Sequence, residues 1–182
     1  NNLSDPGDYN YDSSVASIPL STDADETDTI SIFEIDADQA DHYATRIKGY
    51  ICAPLTGDYT FWIASDNQGE LWFSSDDNPD NKIRIAHSSD WNDFRQWDKY
   101  ATQQSEPIYL IAGNQYYVET LHKEFNGGDN LSVGWQLPND TMERPIPQTR
   151  ISPFSSNSVT ENDIDTSQFS IVCMFKGIDR FN

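Results

Sequence analysis

Two stretches of the chain concentrate hard oxygen donors of the kind that hold calcium. Asp76 and Asp77 stand side by side after the run Leu71 to Ser75, and Glu124-Phe125-Asn126-Gly127-Gly128-Asp129-Asn130 packs carboxylates, amide oxygens and flexible backbone carbonyls into one turn. An aspartate pair and such a turn can together supply the roughly six to eight oxygens, at about 2.3–2.6 Å, that calcium takes. Neighbouring residues on a regular strand point to opposite faces, so the doublet chelates one ion only where the backbone departs from strand geometry. Taken alone, the doublet also reads as an acidic hairpin loop continued by Asn78-Pro79-Asp80-Asn81, and the glycine pair as a plain hairpin turn.

Other chemistry finds less support. His42, His87 and His122 share no metal-binding spacing, and His122, within the strand-like segment Tyr116 to Leu121, reads as a packed or hydrogen-bonded residue. Neither a G-x-S-x-G elbow nor a phosphate-cradling glycine loop occurs. With thirty acidic residues, carboxylate pairs suited to a glycosidase arise by chance and carry no information. The acidic runs Asp23 to Asp28 and Asp36 to Asp41 lack the sixth-position glycine and the flanking helices of an EF-hand. Cys52 and Cys173 match no zinc or redox spacing, leaving open one long-range disulfide or two buried thiols.

The thirty Asp and Glu face eleven Lys and Arg, and the resulting charge of −19 repels phosphate backbones and anionic lipid. Nucleic acid and membrane insertion are therefore not expected, and no stretch is long and apolar enough to span a bilayer. Divalent ions and salt relieve such self-repulsion, which points to an extracellular or cell-surface setting. The length suits one sizeable domain, and 13% aromatic residues give it core-building area although only 36% of the chain is hydrophobic.

The elements that must position these residues read as strands. Apolar and polar positions alternate through Ile30 to Ile35, Tyr43 to Ala53, Tyr59 to Ile63, Leu71 to Phe73, Ile83 to Ile85, Tyr116 to Val118 and Leu131 to Trp135. Turn residues separate the runs: Thr56-Gly57-Asp58, Asp66-Asn67-Gln68-Gly69, Ala112-Gly113-Asn114 and the glycine-rich turn above. Many short strands at regular spacing predict an all-β, antiparallel sandwich or barrel with few or no helices. The one helical candidate, Trp91 to Tyr100, fits an irregular loop equally well. The expected organisation is a loop-rich lead-in over 1–29, the β-domain over 30–154, a polar linker over 155–168, and a terminal apolar strand or appended tail over 169–182.

The run from Tyr43 to Phe154, about three-fifths of the chain, resembles the protective-antigen-type PA-14 domain, a β-sandwich module of adhesins, toxins and glycan-processing enzymes. The resemblance rests on RIKGYICAPLTGDYTFWIASDNQGELWFSSDD from Arg46 to Asp77, QQS at Gln103 to Ser105, and AGNQYYVETLHKEFNGGDNLSVGWQLP from Ala112 to Pro138. It implies a lectin site in which two consecutive aspartates joined by a cis peptide bind calcium, and the ion takes vicinal hydroxyls of a sugar. Carried onto this chain, the metal ligands are Asp76, Asp77, Asn126, Gly128 and Asp129, and the sugar contacts Asp76, Asp77, Asn126 and Asp129, with Phe125 flanking the ring. The expectation is thus a calcium-dependent carbohydrate-binding module of an adhesin, one unit of a larger polypeptide, with extracellular glycans as partners and no enzymatic activity. Its rivals are a structural or protein-interaction β-module and an accessory module of a glycoside hydrolase.

Overall fold

A computed structural model describes residues 15–18, 20, 24–154 and 178–181. Among these the chain forms twelve strands: β1 (Glu26–Asp28), β2 (Glu34–Ile35), β3 (Ala44–Cys52), β4 (Gly57–Asp66), β5 (Gln68–Phe73), β6 (Ile83–Ser88), β7 (Ile108–Leu110), β8 (Gln115–Lys123), β9 (Asn130–Gln136), β10 (Met142–Glu143), β11 (Ile151–Pro153) and β12 (Ile178–Phe181). One sheet runs β1-β12-β3-β8-β5-β6 with β11 also on β3, the other β10-β9-β4-β7 with β2 also on β9, and every pairing is antiparallel. The all-β sandwich predicted from the alternation is the fold observed.

Period-two patterning explains the core. On β3 the burial alternates, so Ile47 and Ile51 point inward while Arg46 and Lys48 stay at the opposite face. They meet Tyr59, Phe61 and Ile63 from β4, Leu71 and Phe73 from β5, and Leu131, Val133 and Trp135 from β9. Phe61 lies 4.9 Å from Phe73 across the two sheets, and Tyr59 lies 4.9 Å from Trp135. Each fully buried side chain of this kind contributes about 1.5–3 kcal/mol. The Trp135 indole N–H is satisfied by Glu143 Oε2 at 2.7 Å, as a buried indole requires.

Three segments stand apart from the alternating strands. Trp91 to Tyr100 forms no helix: Lys99 lays its ammonium 2.9 Å from the centre of the Trp91 ring and donates to the Trp91 carbonyl, so the segment folds around a cation–aromatic contact. The short edge strand β7 escaped the periodicity because three residues are too few to show it. The apolar run 169–175 and Cys173 lie outside the described residues; the backbone of β12 completes the free edge of β3 between Ala44 and Ile47.

Candidate functional site

Strand register decides which turns share an end of the sandwich. Ala44 of β3 and Gln68 of β5 both pair with Lys123 at the end of β8, and Asp66 at the end of β4 pairs with Asn130 at the start of β9. The β4–β5 turn, the turn 124–129 and the segment 36–42 before β3 are thereby brought together. The loop after β6 joins them, because the Asn92 carbonyl accepts from Asn130 Nδ2 at 3.0 Å and Asn92 Oδ1 accepts the Ser65 N–H at 2.9 Å.

The two halves of the expected calcium cage do not meet. The Tyr117 N–H donates to the Asp76 carbonyl at 2.8 Å, placing Asp76 beside the start of β8, whereas the glycine-rich turn follows its end. Six residues of strand from Tyr117 to Lys123 span about 20 Å. Asp76 and Asp77 are exposed, and the Asp76 carboxylate is committed locally, accepting from Ser74 Oγ, the Asn78 N–H and Asn81 Nδ2. Those hydrogen bonds, the Asn78 N–H foremost, hold its pKa below the ordinary value. This is the acidic-loop reading of the doublet. It lines a shallow cleft of about 610 Å³ with Cys52, Asn114, Gln115 and Tyr116, at the far end from Asn126, Gly128 and Asp129.

What the glycine-rich turn does meet is Asp66-Asn67. The cis peptide that the resemblance attaches to an acidic doublet lies between these two residues, and no cis bond joins Asp76 to Asp77. Asn67 Oδ1 accepts the Phe125 N–H at 2.7 Å, and the Asp66 carbonyl lies 2.6 Å from Nε2 of the buried His122. Gly69 permits the tight turn, since a Cβ there would fall 2.6 Å from the Ser65 Cβ. Asp66, Asn67 and Glu124 are the residues that sequence reasoning missed as ligand candidates. The available signal for Asp66 and Asn67 was Asp66-Asn67-Gln68-Gly69, read only as a turn, whereas Glu124 opens the oxygen-rich turn but was not among its expected ligands.

Crowded carboxylates dominate the electrostatics here. Burial, then Asp129 and Asp90, push Asp66 up to about 6 against the pull of Lys99. Burial again comes first for Glu124, reinforced by Asp66 and Asp129, and carries it up to about 8. Asp129 is 2% exposed; its Oδ2 accepts the N–H groups of Gln39 and Ala40 at 2.7 and 3.0 Å, while its Oδ1 has no hydrogen bond. A cluster of hard oxygens with a buried carboxylate oxygen left over fits a divalent cation. Among the described residues no three Asp, Glu, His or Cys side chains make a metal cage alone, so an ion here would also draw on amide and backbone oxygens from Asn67 and the turn. Phe125 is half-buried and its ring meets His42 edge-on at 5.1 Å, whereas Asn126, Gly127 and Gly128 are exposed at the tip.

The PA14 domain family matches residues 6–149. The chain belongs to the PA14 domain family. This PA14 domain is 34% identical over 129 residues to mouse N-acetyl-beta-glucosaminyl-glycoprotein 4-beta-N-acetylgalactosaminyltransferase 1, a match covering 67% of the chain and 12% of that protein. It is 31% identical over 114 residues to dog fibrocystin, covering 59% of the chain and 3% of fibrocystin. The chain therefore spans a small fraction of the curated relatives it matches. Among solved structures, the Epithelial Adhesin 6 A domain of Candida glabrata, in complex with Galβ1-3GlcNAc, superposes with a TM-score of 0.51 at 14% identity, covering 72% of this chain and 68% of that one. That likeness establishes a shared fold.

Proposed function

We propose that this PA14 domain is a calcium-dependent glycan-binding module that carries out no catalysis, with its site at the end of the sandwich formed by Asp66, Asn67, Glu124 and the turn 125–129. One observation supports the reading above others: Asp66, Glu124 and Asp129 are gathered there with Asp129 Oδ1 buried and without a hydrogen bond. Asp66, Asn67, Asn126, Asp129 and the Gly128 carbonyl would hold the ion. Bound calcium supplies a coordination point for two vicinal hydroxyls of a sugar.

The chain's own groups then set the contact. Asn126 at the exposed tip offers an amide to the same hydroxyls, and Phe125 stands next to it. Trp91, 49% exposed and one residue from Asn92, puts an aromatic ring at the rim; Lys99 covers one face, and the opposite face would pack on a sugar ring. Affinity for one shallow site is expected on the order of 1 mM, about −4 kcal/mol, so attachment would depend on several copies or modules of a larger extracellular or cell-surface polypeptide. The glycan seen on the Candida adhesin domain is in keeping with this reading.

The test is a broad glycan panel and calorimetry on the whole chain, in calcium and in chelator. Sugar binding that disappears with chelator and with Asp66→Ala is the expected result. Binding that persists in chelator removes calcium from the account, and no sugar at all in calcium leaves a structural or protein-interaction module.

A further inference from the structure

The turn 125–129 is gripped along its length by the segment that precedes β3. The Asp38 N–H donates to the Asp129 carbonyl at 3.1 Å and the His42 N–H to the Phe125 carbonyl at 3.0 Å. In the reverse sense, the exposed Gly127 N–H donates to Asp41 Oδ1 at 3.0 Å. Asp129 Oδ2 takes the Gln39 and Ala40 N–H groups, and the His42 ring closes the far end against Phe125. At Gly128 the two segments touch so closely that a Cβ would come within 3.2 Å of Asp38 Oδ1.

We propose that Asp38–His42 is the positioning element of the cation-binding turn, with Asp41 the residue that fixes Gly127. This rests on the site reading given above. Gly127 sits at φ +102°, and a solvent-exposed stretch with two glycines has much backbone freedom to lose when it closes on an ion. A carboxylate that already holds the Gly127 N–H removes part of that freedom beforehand, and preorganisation of this kind appears as affinity. Asp129 couples the two segments directly. Because Oδ2 is engaged by Gln39 and Ala40, the carboxylate is oriented with Oδ1 as the oxygen left for the ion. Linkage then runs both ways: an ion on Oδ1 steadies the docking of residues 38–42, and that docking raises affinity for the ion.

The experiment compares the full chain with Asp41→Ala and Asp41→Asn, titrating calcium alone by calorimetry and following amide hydrogen exchange at Gly127 with and without calcium. Asp41→Ala should weaken calcium binding about tenfold and abolish Gly127 protection in the calcium-free chain, a loss in line with removing one hydrogen bond. Asp41→Asn keeps the accepting Oδ1 without the charge and should restore most of both. Unchanged calcium affinity in Asp41→Ala overturns the proposal. So does an Asn variant that behaves as Ala, since the effect would then be one of charge and not of position. Failure of the unsubstituted chain to bind calcium sinks the site reading itself and this proposal with it.

Discussion

His122 Nε2 faces the backbone carbonyl of Asp66 at 2.6 Å, from a side chain with no solvent exposure. A carbonyl oxygen can only accept, so Nε2 carries the proton and the imidazole is held in that tautomer or as the cation. The histidine in the middle of the sheet end is thus a hydrogen-bonded support of the β4–β5 turn, as the sequence suggested.

Replacing that support should loosen the site before it unfolds the domain. His122→Phe leaves the Asp66 carbonyl without its donor, at a cost of about 1–3 kcal/mol, and is expected to lower Tm by roughly 2–10 °C. His122→Gln, which retains an N–H donor, should recover part of the loss. Thermal unfolding of both variants checks this, and equal Tm values for His122→Phe and the unsubstituted chain would contradict it.

The two candidate doublets are separable by substitution. Asp66→Asn should reduce calcium affinity at least tenfold, because it removes one charged oxygen of the crowded set. Asp76→Asn and Asp77→Asn sit about 20 Å away along the strands and should change it less than about twofold. Calorimetric titration with calcium distinguishes them, and the opposite ranking would return the ion to the Asp76–Asp77 loop.

Acidity supplies an independent readout. An acid whose pKa rises on folding binds its proton more tightly in the native state, so its contribution is complete below the unfolded value and lost as pH climbs through the folded one. Asp66 accordingly loses its contribution between 3.8 and about 6. Glu124 loses its own between 4.5 and about 8. In chelator, the Tm difference between the unsubstituted chain and Glu124→Gln should therefore turn against the unsubstituted chain as pH rises across this window. Calcium favours the charged carboxylates and should lift Tm more at the alkaline end than at the acidic end. A calcium effect that grows as pH falls would rule out these carboxylates as its source.

Trp91 offers a test of the sugar side alone. It is half exposed and outside the main core, so its replacement opens no core cavity, although it removes the ring on which the Lys99 ammonium rests. Trp91→Ala is expected to weaken glycan binding several-fold, in line with about 0.5–1.5 kcal/mol for an aromatic contact, with calcium affinity unchanged. Glycan and calcium titrations run on the same preparation measure both, and loss of calcium binding together with sugar would mean that the loop after β6 serves the ion instead.

The sequence by itself determined the class of fold, and it did so through local rules. Alternation through Tyr43 to Ala53 and Leu131 to Trp135 fixes which side chains face the core, because the strand period is two wherever the strand lies. Gly57, Gly113 and Gly127 mark turns for reasons of backbone freedom that hold in any fold. The glycine-rich turn was likewise legible as an oxygen-rich loop. Its partner was not. Asp76-Asp77 and Asp66-Asn67 both end strands, both bear hard oxygens, and nothing local separates them. Only the tertiary structure did, because hydrogen-bond register sets Gln68 and Ala44 against Lys123 and Asp66 against Asn130, so that the β4–β5 turn arrives beside Asp129 while the doublet after β5 leaves from the opposite end.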